Sequence, residues 1–108
     1  MATTYKVLGQ VNVAAATGTT LYTVPAATSA VCSTLAICNL GVSATYRVAI
    51  RPAGATLADQ HYLIYEAAIN QYDTVMLTLG ITLAATDVVT VRGSTADVTF
   101  QLYGSEIT

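Results

Sequence analysis

Apolar and polar residues alternate along this chain in short runs. In "TYRVAIR", Tyr46, Val48 and Ile50 alternate with Thr45, Arg47, Ala49 and Arg51. That period of two belongs to a strand with one buried face. In "DVTFQLY", Val98, Phe100 and Leu102 face one way and Thr99, Gln101 and Tyr103 the other. In "DVVTVR", Val89 and Val91 face inward while Thr90 and Arg92 face out. Similar runs are "TYKVLGQV", "TLYTV", "AVCSTLAICN", "HYLIYEAAI" and "TVMLTLGITL". Each stops at a turn signal such as Pro25, "NLG", "PAGA", "NQYD" or "GSTA". Gly80 inside its run predicts a bulge or bend.

No segment has an apolar helical face with a cap and a stop. The ambiguous one is "ADQHYLIYEAAINQ", where Tyr62, Tyr65, Glu66 and Ile69 fit a three-four spacing. It is read as a strand, because Tyr and Ile favour pleated surfaces. On that reading Tyr62 and Tyr65 leave opposite faces and cannot form one platform. Seven to eight short strands, about ten residues apart, predict an all-β fold: a single antiparallel β-sandwich, jelly-roll or Ig-like. Residues 1–108 form one domain, with 1–19 as an N-terminal arm or edge strand.

Composition changes the picture at the surface. Charged residues make up only 9% of the chain against 54% apolar ones, whereas about a quarter is usual for charged residues. The surface must therefore be built of Thr, Ser, Ala, Asn, Gln and Gly. Such a surface favours association, since net charge keeps monomers apart. With one lysine, Lys6, and a net charge of −2, no nucleic-acid partner is expected, because phosphate binding needs clustered Lys and Arg. Between Lys6 and Arg47 no residue is charged, yet polar residues interrupt the stretch throughout. It falls short of the about 18 consecutive apolar residues that a membrane helix needs, so no membrane partner is expected. The beginning, "MATTYKVLGQ", lacks the pattern of a signal peptide, and synthesis in a cytoplasm is expected.

Cys32 and Cys38 fall six residues apart in one run, both on its even side, about 20 Å apart at strand rise. A disulfide needs Cα atoms within about 7 Å. Two free, buried thiols are predicted. His61 is the only histidine, and its pairing with Asp59 two residues away is a weak catalytic signal. No nucleophile elbow, phosphate loop, dinucleotide fingerprint or metal-ligand spacing occurs. Asp73, Asp87 and Asp97 each precede a strand, the place for Asx-turns. Neither an enzyme nor a cofactor or metal is expected.

The phrases "TLYTVPAATSAV", "ICNLG", "YRVAIRPAGATLADQHYLIY", "DTVMLTLGITLAATDVVTV" and "STADVTFQLYGSEI" occur in order from about residue 20 onward. In that series the chain resembles small structural proteins of tailed bacteriophages, known best from phages of cyanobacteria and other aquatic bacteria. The resemblance implies a β-sandwich in the virion, on the capsid surface or the tail. The expected role is a capsid decoration (cement) protein that binds across neighbouring subunits of the major capsid protein. It would associate with itself, as a homotrimer following shell symmetry. The alternatives are a tail or baseplate component, and a sugar-binding adhesion module. Arg47 and Arg51, two of only four positive charges, are the candidate interface residues together with Tyr103. A competing use of the arginines is pairing with Glu66.

Overall fold

The computed structural model describes residues 2–108. Eight strands follow one another: β1 (Thr3–Asn12), β2 (Thr19–Thr23), β3 (Ser29–Asn39), β4 (Ala44–Arg51), β5 (Tyr62–Ile69), β6 (Thr74–Leu83), β7 (Val88–Gly93) and β8 (Val98–Ile107). Single 3₁₀ turns at Pro52–Gly54 and Asp59–His61 are the only helical pieces among the described residues. The strands form two four-stranded antiparallel sheets. Sheet A has the order β1-β8-β3-β6 and sheet B the order β2-β7-β4-β5. The predicted antiparallel sandwich is therefore the observed fold. The ambiguous segment is strand β5, and the first strand is an edge of sheet A.

The core lies between the sheets. From sheet A come Leu35, Ile37, Phe100 and Leu102, and from sheet B come Tyr46, Val48, Val89 and Val91, all buried. Tyr46 meets Phe100 edge to face, with ring centroids 6.4 Å apart. Burial pushes the Tyr46 hydroxyl above its ordinary pKa. Among the described residues Asn39 is the most deeply buried of three buried polar ones, the others being Thr28 and Ser105. Its Nδ2 donates to the carbonyls of Val42 (2.7 Å) and Asn70 (3.1 Å), and its Oδ1 accepts from Gly41 N–H (3.1 Å). It thereby clasps the end of β3 to the turn between β5 and β6, so its polarity is satisfied.

Bulges set which residues face out. One line of them crosses sheet A. Leu8 is extra in β1 relative to β8, Ser33 is extra in β3 relative to β8, and β6 opposes Ser33 with Leu79 and Gly80. The bulge or bend expected at Gly80 is observed as this shift of register. An extra residue reverses the in–out alternation beyond it. In β3 the inward residues are even before the bulge, Ala30 and Cys32, and odd after it, Leu35 and Ile37. This corrects the expectation for the cysteines. Both are free, but only Cys32 is buried; Cys38 lies beyond Ser33 on the outer face, half-buried. At the same level Gly104 comes so close to β3 that a Cβ would stand 2.0 Å from the Val31 carbonyl oxygen.

Candidate functional site

The two outer faces differ in chemistry. On sheet B, β4 turns Arg47 and Arg51 outward, as its alternation predicts, and the neighbouring β7 adds Arg92 opposite Arg47. Facing them from β5 is Glu66. Two register shifts in β5 make Leu63 an extra residue and place both Tyr65 and Glu66 opposite Arg47. Glu66 takes the left-handed conformation (φ 54°) that this bulge demands, an unusual state for a residue with a Cβ.

Glu66 is the hub of the face. Its carboxylate accepts from Thr45 Oγ1 (2.7 Å), from Arg47 through a short ion pair, and from Arg92 Nη1 (3.3 Å). The Thr45 hydroxyl and then the Arg47 guanidinium hold the carboxyl below its ordinary pKa. The Arg47 guanidinium carbon lies 4.3 Å from the Tyr65 ring centroid and 5.9 Å from that of Tyr62. The two rings are 4.9 Å apart, edge to face. The expectation that Tyr62 and Tyr65 leave opposite faces is thus overturned: the bulges bring both to the outer face. A hollow of about 220 Å³ opens beside them, lined by Arg47, Ala49, Leu57, Tyr62, Thr90 and Arg92. Arg51 does not join this cluster. Its Nε donates to Thr90 Oγ1 (3.1 Å) and its Nη1 to the Ala55 carbonyl (3.2 Å).

The outer face of sheet A is built differently. Cross-strand register places its side chains in rows: Asn12, Thr99, Cys38 and Thr74; then Gln10, Gln101, Ala36 and Met76; then Val7, Tyr103, Thr34 and Thr78; then Tyr5, Ser105, Val31 and Thr82. None of these carries a charge. Gln10 Nε2 donates to Gln101 Oε1 (3.2 Å), which also accepts a short bond from the Tyr103 hydroxyl. Tyr5, Val7 and Met76 are exposed large apolar residues. A groove of about 610 Å³ runs past Tyr5, Val7, Val31, Ser33 and Tyr103, with Lys6, which is paired to Glu106, also on its wall. Tyr103 therefore lies on the opposite side of the molecule from Arg47 and Arg51, and one flat contact cannot use all three.

The remaining candidates take up local roles. His61 Nδ1 accepts from Ala58 N–H (3.1 Å), closing its own turn. Asp87 accepts from Ala53 N–H and Ala84 N–H (both 2.9 Å), pinning two loops as an Asx-type anchor. At the inner margin of sheet A, Tyr22 of β2 donates to Glu106 (2.5 Å), which also pairs with Lys6 (3.0 Å). The Tyr22 bond, then Lys6, lower the Glu106 pKa, and burial followed by that bond raises the tyrosine's. Among the described residues no three His, Cys, Asp or Glu side chains gather as a metal site. Among the same residues no helix is long and apolar enough to cross a membrane.

Sequence reasoning missed Arg92 and Asn39 as structural centres. The alternation in "DVVTVR" already put Arg92 outside, but its meeting with Glu66 depends on β7 lying beside β4. No protein-family model matches this chain, and no curated protein matches it.

Proposed function

We propose that this protein is a structural component of a tailed-phage virion, a decoration protein that seats the outer face of sheet A on the head shell. The observation that supports the reading is the set of four uncharged rows on that face. Burying a charge in a contact costs several kcal/mol unless it is paired, roughly 3–5 kcal/mol when one partner is missing. A face of Thr, Ala, Gln, Met and Tyr loses little when covered, and charge is likewise depleted at the centre of stable interfaces. The ordered phrases that resemble tailed-phage virion proteins support a place in the virion, on the head or on the tail. The role is mechanical: an added subunit that binds only the assembled shell stabilises it by mass action. Its partners are the major capsid protein and further copies of itself, and no reaction is assigned to it.

The same face could serve a tail or baseplate component, which differs in location alone. A sugar-binding reading gains from the joining of Tyr62 and Tyr65. Against it, Arg47 covers the Tyr65 ring, and the edge-to-face pair offers no flat platform for a sugar. The test uses heads of the parent phage made without this chain, incubated with purified protein and imaged for occupancy. Binding by wild type, lost in Thr34→Glu with Ala36→Glu, is the expected result. Binding to tails alone, or to isolated glycans and not to heads, would overturn the head assignment.

A further inference from the structure

We infer that β6 is a pairing edge at which two copies of this chain join about a two-fold axis into one continuous eight-stranded sheet. The inference is independent of the virion reading. β6 is the last strand of sheet A and pairs only with β3. The Asn39 N–H bonds the Asp73 carbonyl (2.9 Å), which fixes the phase of the ladder. Counting from it, Val75 and Leu77 turn their main-chain groups to β3, and Met76 and Thr78 turn theirs away. Those outward donors and acceptors are a template for another strand.

The other three edges each carry a guard of the kind that blocks such pairing. β1 has Lys6 and the Leu8 bulge. β2 has only five residues, is bulged at Leu21 and is followed by Pro25. β5 is bulged twice and carries Glu66 in the left-handed conformation. β6 runs for ten residues, TVMLTLGITL, with no charge and no proline. Its one irregularity, at Leu79 and Gly80, leaves the in–out alternation of the strand unbroken.

The inward side chains of β6 point to the same partner. Val75, Leu77, Leu79 and Ile81 pack on the core but stay only half-buried, because no element covers their flank beyond β6. Antiparallel pairing of identical strands keeps inner face on inner face only if the paired residue numbers add to an even sum. Centring on Thr78, whose main-chain groups point outward, sets Leu77 against the partner's Leu79 and Val75 against the partner's Ile81. Each aliphatic flank is thereby closed by its counterpart. On the outer face Met76, which is exposed, falls opposite the partner's Gly80. That glycine has open space where a Cβ would be, with nothing within 4 Å. No charge opposes a like charge across the axis. A second copy fits this edge in every respect, and the two-fold takes the place of the three-fold association expected from shell symmetry.

The experiment is sedimentation equilibrium of the full chain and four variants. Thr78→Pro removes an N–H that the fold does not use, and an edge strand tolerates it. Thr78→Lys and Thr78→Glu each place like charges face to face at the axis. Wild type should be dimeric. The proline variant, losing one hydrogen bond per copy, should dissociate roughly thirtyfold more readily with its melting curve retained as a monomer. The lysine and glutamate variants should each be monomeric and recover dimer when mixed. Gln10→Lys, on the far edge, should leave the dimer intact. A monomeric wild type, a trimer, or a dimer indifferent to both Thr78→Pro and Thr78→Lys would overturn the inference.

Discussion

The two outer faces of this sandwich are made from strands of similar length, yet they spend polarity in opposite ways. Sheet B gathers all three arginines, and with Glu66 it locks Arg47 and Arg92 into a network with two tyrosines. Its polar groups are already satisfied by one another. Sheet A spreads hydroxyls, amides and small apolar groups in uncharged rows, with Tyr5, Val7 and Met76 standing free. The lesson is that charge in a strand does not by itself mark a contact surface. Here the conspicuous arginines are engaged within the fold, and the inconspicuous face is the one left open.

The strongest way to break this comparison is to charge the quiet face. Thr34→Glu with Ala36→Glu should weaken attachment to phage heads by about a hundredfold or more, since an unpaired charge must be buried. Arg47→Ala with Arg51→Ala should leave attachment nearly unchanged. Binding measured by co-sedimentation decides it, and the reverse pattern would move the contact to sheet B.

Thiol chemistry sharpens the same contrast. Cys38 opens on the outer face of sheet A, while Cys32 is buried and burial pushes its pKa up to about 11. At neutral pH an alkylating reagent should label one thiol in the native chain, identified as Cys38 by peptide mass mapping. Cys32 should react about two orders of magnitude more slowly than an ordinary thiol until the protein unfolds. Equal labelling would contradict the reversal of alternation at Ser33.

Acid should act on both sheets. Glu66 and Glu106 have folded pKa values below the ordinary carboxylate value of about 4.3. Their contribution is therefore complete above that pH and vanishes as pH falls through the lowered values. Melting temperature should drop below about pH 4, less steeply in Glu106→Gln and in Glu66→Gln. A drop of the same slope in both variants would assign acid sensitivity to other carboxylates. The smallest effect belongs to Arg47→Ala alone: a slight fall in melting temperature at low ionic strength that disappears near about 1 M salt.

Much of the fold was legible in the sequence because alternation is local. β4, β7 and β8 show their buried faces directly in Tyr46 and Val48, Val89 and Val91, Phe100 and Leu102. The pairing of Arg47 with Glu66 was also within reach, as the plain use of a scarce charge. What escaped depends on counting between strands. Ser33, Leu63 and the Tyr65–Glu66 pair are bulges only relative to a neighbour, and nothing in their own composition declares it; among the bulges only Gly80 did. The three-four spacing of Tyr62, Tyr65 and Glu66 that resembled a helix is what two bulges in a strand produce. Asn39 escaped for the same reason, since its inward direction follows from the reversal six residues earlier. The division of strands between sheets escaped too, because it rests on contacts far apart in the chain.

Ser33 behaves like a one-letter insertion in a text read two letters at a time. Taking it up into a regular pleat, with no bulge, would leave the composition and the strand propensity of β3 unchanged. Yet Thr34, Ala36 and Cys38 would be read into the core, and Leu35 and Ile37 onto the surface. The neighbouring strands, with Leu8 and Gly80 at the same level, would still be set to the old frame. The identity of each face is thus stored in one residue standing outside the pleat rather than in the character of any side chain, and a scan that replaces residues one by one would pass over it.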